Sequence, residues 1–246
     1  MRPILILGGT TEASHLAGAM ADAQLPAILS YAGRTLTPRA QPVPVRIGGF
    51  GGVEGLVEYL LREGIGRVVD ATHPFAAKIS RNARTACHRT GIPLLRLERP
   101  VWRPAAGDRW VSLPDMEAAA AALSGVPRRV FLAIGRQHLG AFAGVQQHRY
   151  LLRLVDPPVT PPPFRDCSVV IGRGPFDTGA ERALLERHGT EIIVTKNAGG
   201  EGARAKLHAA RLLGLPVLMV ERPASAGESV ARVEDVLRWC HADLGV

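Results

Sequence analysis

Pro3-Ile4-Leu5-Ile6-Leu7-Gly8-Gly9-Thr10-Thr11-Glu12-Ala13 is a short run of branched apolar residues that stops at two glycines and passes at once into a helical pattern reaching Ala23. A strand with no polar face belongs in the middle of a sheet covered on both sides, and Thr10 or Thr11 is placed to cap the helix that follows. The stretch is therefore one βα unit, and the rest of the chain is read against it.

The pattern repeats outward. Strands are predicted at Ala27 to Tyr31, Val43 to Ile47, Arg67 to Asp70 and Pro93 to Leu97, with helices at Val53 to Glu63 and Pro74 to Thr90. From Glu98 to Asp108 the chain passes Pro100, Pro104 and Gly107 without a period, as a linker does. Beyond it come a helix at Pro114 to Leu123, strands at Val130 to Ile134, Arg149 to Val155 and Ser168 to Ile171, and a helix at Thr178 to His188. A strand at Glu191 to Thr195, a helix at Gly202 to Leu213, a strand at Pro216 to Val220 and a closing helix at Ser229 to Leu244 complete it. Asp156 to Phe164 carries five prolines and is an extended loop. The expectation is an α/β protein of two Rossmann-like halves, residues 1–104 and 105–246, each a mostly parallel sheet flanked by helices, with a cleft between them.

Composition narrows the class. The 246 residues are 46% hydrophobic, enough for a core without disulfides, and the scattered Cys87, Cys167 and Cys240 form no metal-ligand spacing, so buried free thiols and no metal are expected. The net charge of +8 comes from dispersed arginines, and aromatics are only 5%, which points to a small polyanionic or phosphorylated ligand rather than nucleic acid. No apolar run approaches the length that crosses a bilayer, and no leader-like segment stands at Met1-Arg2-Pro3, so a cytoplasmic protein, monomeric or weakly oligomeric, is expected.

Open parallel sheets bind ligands beyond the carboxyl ends of their strands. Gly8-Gly9-Thr10-Thr11 stands at such an end, where glycines allow close approach and a helix N-terminus favours an anion, although a turn of this kind also serves as a plain connection. It is neither GxGxxG nor a Walker loop. Arg34 follows the second strand where an NAD-preferring fold carries an acid, and this suits the extra phosphate of NADPH. Asp70-Ala71-Thr72-His73-Pro74 gathers a carboxylate, a hydroxyl and an imidazole in one turn, with Thr72 or His73 as helix cap. Gly135-Arg136 and Gly172-Arg173-Gly174 present arginines at strand ends, and Thr195-Lys196-Asn197 precedes Gly199-Gly200 and a further helix. The candidate cofactor-binding residues are thus Gly9, Thr10, Thr11, Arg34, Thr72, Gly135, Arg136, Arg173, Gly174 and Asn197, and the candidate catalytic residues are His73 and Lys196.

Tyr31, Tyr59 and Tyr150 are not followed by lysine four residues on, so the short-chain dehydrogenase dyad is missing, as are GxSxG and HExxH. The strand ends alone leave open an NADPH-dependent reductase of some small conjugated substrate or a nucleotide-sensing module.

The ordered series GGTTEA, YAGR, DATHPFA, GRGPF and TKNAGG followed by ARAK covers nearly the whole chain and resembles the precorrin-6A reductase family. The resemblance implies hydride transfer from NADPH to one double bond of the precorrin-6A macrocycle, giving precorrin-6B in cobalamin biosynthesis, with a carboxylate-rich tetrapyrrole as substrate. The resemblance departs in the segment of Ala198, where members of the family often carry serine.

Overall fold

Ile4 and Ile6 turn to one face of the first strand and Leu5 and Leu7 to the other, and all are sealed from water. Burial of this kind contributes about 1.5–3 kcal/mol per side chain and is available only to a strand packed on both faces. The computed structural model describes residues 2–33, 40–224 and 227–241. Arg34 lies outside them.

The chain runs β1 (Ile4–Leu7), α1 (Thr11–Asp22), β2 (Ala27–Tyr31), β3 (Val45–Ile47), α2 (Val53–Arg62), β4 (Arg67–Asp70), α3 (Ala77–Thr90) and β5 (Leu94–Leu97). It then builds β6 (Arg109–Leu113), α4 (Met116–Ala121), β7 (Arg129–Ala133), a 3-10 turn (Arg136–Phe142), β8 (Arg149–Leu154), β9 (Cys167–Ile171), α5 (Thr178–His188), β10 (Ile192–Lys196), α6 (Ala205–Leu212) and β11 (Pro216–Val220). It ends in β12 (Ser229–Val230) and α7 (Val233–His241). No helix among the described residues is long and apolar enough to cross a membrane.

Two six-stranded sheets result, β12-β5-β4-β1-β2-β3 and β6-β11-β10-β7-β8-β9, and every pairing is parallel. The first is doubly wound about β1 and the second about β7, which places a topological switch point between β1 and β4 and another between β7 and β10. The outermost place beside β5 is filled by β12, which follows β11 in the chain, and the place beside β11 is filled by β6, which follows β5. Each sheet therefore takes its sixth strand from the chain leaving the other.

The compact units are accordingly Met1–Pro100 with Pro223–Val246, and Val101–Arg222, so a single boundary near residue 104 does not describe the chain. In the first unit, Val236 and Cys240 of α7 pack with Leu16, Ala17 and Met20 of α1 on one face, while Leu56, Leu60, Ala83 and Ala86 of α2 and α3 cover the other. In the second, Leu185 of α5 and Leu207, Ala209 and Ala210 of α6 close over Phe131, Leu151, Ile193 and Val217.

The predicted elements are all present with small shifts at their ends, with one merger undone: the closing helix divides into β12 and α7, because Ser229 and Val230 pair with Arg96 and Leu97. Edge strand β6 was not predicted, since most of its side chains face water and leave no apolar run to read. Of the thiols, Cys87 and Cys240 are buried and Cys167 is half-buried. Burial, with the Asp70 carboxylate next in effect, pushes the Cys87 thiol up to about 12, and burial raises Cys240 to about 11.

Candidate active site

The register Leu7↔Asp70 between β1 and β4 sets the glycine turn and the Ala71–Phe75 turn side by side at the first switch point. Thr10 is the N-cap of α1: its hydroxyl accepts from Ala13 N at 3.1 Å and donates to the Ala71 carbonyl at 2.8 Å, so one side chain both starts the helix and ties the turns together. Gly9 has φ +118, and a side chain there would meet nothing within 4 Å. The backbone is thus open in front of the first-turn N–H groups of α1, the arrangement that receives an anionic group. Glu12 does not fill that space, since its carboxylate is paired with Arg99 at 2.7 Å.

The second turn is held from behind. The Asp70 carboxylate, 2% exposed, accepts through Oδ1 from both Thr72 N (3.1 Å) and Thr72 Oγ1 (2.6 Å), and through Oδ2 from Arg96 Nη1 (2.7 Å). Arg96 also donates to Ser80 Oγ at 2.7 Å and to Glu98 at 3.2 Å. Thr72 is therefore turned inward. Neither it nor His73 caps α3, which begins at Ala77 after Ala76 with no side-chain cap, because Pro74 and Phe75 form a separate turn first. His73, half-buried, accepts through Nδ1 from Phe75 N at 3.2 Å, so its neutral ring carries the proton on Nε2. Within the same unit a cavity of about 540 Å³ runs along α3, lined by Asp70, Ser80, Arg81, Arg84 and Arg96 among others.

In the second unit Gly135 (φ 77) and Arg136 follow β7, and Lys196 ends the neighbouring β10, so these residues stand at its switch point. Gly135 has open space where a side chain would be. Arg173 and Gly174 follow β9 at the sheet's far edge, where Gly174 is pressed so close to the Gly202 carbonyl that a Cβ would stand 2.6 Å from it. The turn is backed by Arg153, paired with Glu181 at 2.6 Å and stacked 4.2 Å over the Phe176 ring.

Asn197, expected as a ligand contact, has its side-chain amide engaged within the unit. It is 3% exposed, its Oδ1 accepts from Trp102 N at 2.8 Å, and its Nδ2 donates to Trp102 O and to Glu221 Oε2, both at 3.1 Å. The amide is spent on clasping the chain entering the unit to the end of β10. Asn197→Ala would leave those main-chain groups buried and unpaired, and a loss of roughly 2–4 kcal/mol in urea denaturation is expected.

A sequence profile described as "Precorrin-6x reductase CbiJ/CobK" matches residues 3–241. The chain belongs to the precorrin-6x reductase family. It is 56% identical over 240 residues to "Precorrin-6A reductase" of Rhodobacter capsulatus, covering 97% of this chain and 96% of that one. It is 48% identical over 243 residues to the protein of the same name from Rhodococcus erythropolis, covering 97% of each. A solved structure, "CobK precorrin-6A reductase", superposes with a TM-score of 0.95 at 56% identity, over 100% of this chain and 98% of that one.

Ala198 is 7% exposed and packs in the apolar cluster with Trp102 and Leu207, so its methyl group serves the core. Several organising residues were missed by sequence reasoning. Arg96 and Arg153 sit inside the apolar runs Leu94-Leu95-Arg96-Leu97 and Leu151-Leu152-Arg153-Leu154, and a charge in a strand buried on both faces was the signal available. Trp102, alone among linker prolines, was another.

Proposed function

We propose that the chain reduces precorrin-6A to precorrin-6B, with NADPH as the reductant. The observation that carries the reading is the meeting of the Gly9–Thr10 turn with the Thr72–His73 turn at the first switch point, fastened by the Thr10–Ala71 hydrogen bond, in a member of a reductase family. The residues fit a dinucleotide, because the open backbone at Gly9 and the N-terminus of α1 suit a phosphate. NADPH, when bound, supplies the hydride for the double bond of the ring.

The chain's own residues then have separable tasks. Gly9, Thr10 and Thr11 hold phosphate through the backbone, Thr10 acting as cap rather than by a hydroxyl of its own to spare. Thr72 fixes the turn that presents His73. His73 holds a proton on Nε2, from which it orients the ring or relays the proton, and the Lys196 ammonium is the alternative group for that task. Gly135, Arg136, Arg173 and Gly174 form the contacts of the second unit, the arginine forks matching phosphate or the acetate and propionate carboxylates of a precorrin. Removing water from such a site and aligning the reacting atoms supplies most of the acceleration a hydride transfer asks of a protein.

Precorrin-6A mixed anaerobically with NADPH and the protein is expected to consume one reduced nicotinamide per ring, with a matching change in the visible spectrum of the tetrapyrrole. No consumption would sink the reading. NADH is expected to be the poorer donor, and Arg34→Ala to reduce the preference for NADPH, read as the ratio of kcat/KM values, by about tenfold or more, the worth of one charge-assisted hydrogen bond.

A further inference from the structure

Thr72 lies ahead of the Pro74–Phe75 turn, too far from α3 to cap it, and its polar groups are used elsewhere. Both the amide and the hydroxyl of Thr72 are given to one oxygen of Asp70, and α3 starts without a side-chain cap. The other oxygen of Asp70 is taken by Arg96 Nη1, which reaches Ser80 in the first turn of α3 as well. The guanidinium thus spans the turn and the helix behind it, with His73 between them in sequence. Arg96 is itself framed on both sides, by the register Asp70↔Arg96 to β4 and by its main-chain N–H to the Glu228 carbonyl ahead of β12.

This is a poor way to gain stability. The side chains of Asp70, Arg96 and Glu98 are 3%, 10% and 12% exposed, and Arg96 Nε is buried with no hydrogen-bond partner. Burying charges carries a desolvation penalty that apolar side chains of like volume avoid, and an imperfectly satisfied set is worse still. What the charges provide is geometry: two planar groups with fixed directions, locking a short turn that could otherwise adopt several conformations.

We propose that Asp70 and Arg96 are positioning residues for the reduction, acting through Thr72 to hold His73 at the angle the reaction needs. The inference rests on the reading that the Thr72–His73 turn touches cofactor or ring, and it assigns to the buried pair a role in turnover rather than in folding.

The test compares Arg96→Met, Arg96→Lys and the apolar pair Asp70→Leu/Arg96→Met, with folded fraction measured by circular dichroism. In Arg96→Met, kcat per folded molecule is expected to fall about 100-fold with KM values within about threefold, the signature of misplacement rather than lost binding. The double variant is expected to be folded and equally slow, and Arg96→Lys to recover to within about tenfold of wild type by restoring the charge without the fork. A double variant that is folded and turns over at the wild-type rate overturns the proposal, as does a loss of activity in Arg96→Met that a smaller amount of folded protein accounts for in full. Hydrogen exchange over residues 71–76 reads the clasp without turnover: faster exchange in Arg96→Met supports it and unchanged exchange overturns it. Should the wild-type protein fail to oxidise NADPH with precorrin-6A, the proposed function falls while the exchange comparison still decides the clasp.

Discussion

Deletion of residues 223–246 is expected to unfold the first unit while the second survives. The segment supplies β12, which closes the edge of β5, and α7, whose Val236 and Cys240 are 0% and 1% exposed in the core built on β1, β4 and α1. Val233, Leu237 and Trp239 pack against the same cluster. At about 1.5–3 kcal/mol for each buried apolar side chain, the loss is comparable with the roughly 5–15 kcal/mol that holds an entire domain folded. The second unit is one continuous segment, Val101–Arg222, with its own six strands. Limited proteolysis of the truncated protein, followed by mass spectrometry, should leave a fragment close to 101–222. A truncated chain that melts cooperatively and resists proteolysis throughout would show that the returning segment is dispensable.

Gly9→Val is expected to abolish nucleotide binding at a modest cost in stability. A β-branched residue at φ +118 is strained by about 1–3 kcal/mol, but no atom lies within 4 Å of the new Cβ, so the fold need not move to admit it. The isopropyl group would occupy the space through which a phosphate approaches the first turn of α1, and a loss of at least about 100-fold in kcat/KM for NADPH should follow, since several backbone hydrogen bonds to an anion go together. Gly91→Ala is the control: it strains a left-handed position (φ 68) at the C-terminus of α3, also in open space, and should lower stability by roughly 1 kcal/mol with kcat/KM intact. Equal losses of activity in the two variants would mean that backbone strain, and not the site, was being measured.

Much of this architecture could be read before any coordinates, and the reasons are specific. β1 is a central strand, so its apolar run, its terminating glycines and its helix cap all agree, and the sequence pattern and the structure coincide there. The edge strands β6 and β12 escaped because neither needs an apolar run: β6 faces water along much of its length and β12 is two residues long. Motif reasoning singled out the strand-end turns because such turns carry unusual residue types, and Thr10, one of the two expected caps, is the cap of α1. It could not tell a ligand contact from an internal clasp. The amide of Asn197 and the hydroxyl of Thr72 look alike in sequence to groups waiting for a ligand, and only their partners, Trp102 and Asp70, disclose where their hydrogen bonds go.

The reciprocal placement of β6 and β12 also sets an order of assembly during synthesis. As the chain emerges from the ribosome, the opening hundred residues can pair β1 to β5 but must wait with one sheet edge bare and one helix missing. The interior segment, translated later, has all its strands available first. Vectorial folding, which ordinarily completes the N-terminal part of a protein before the rest, is expected here to run from the middle outward, and the bare edge of β5 is where a chaperone or a wrongly paired neighbour would find the nascent chain.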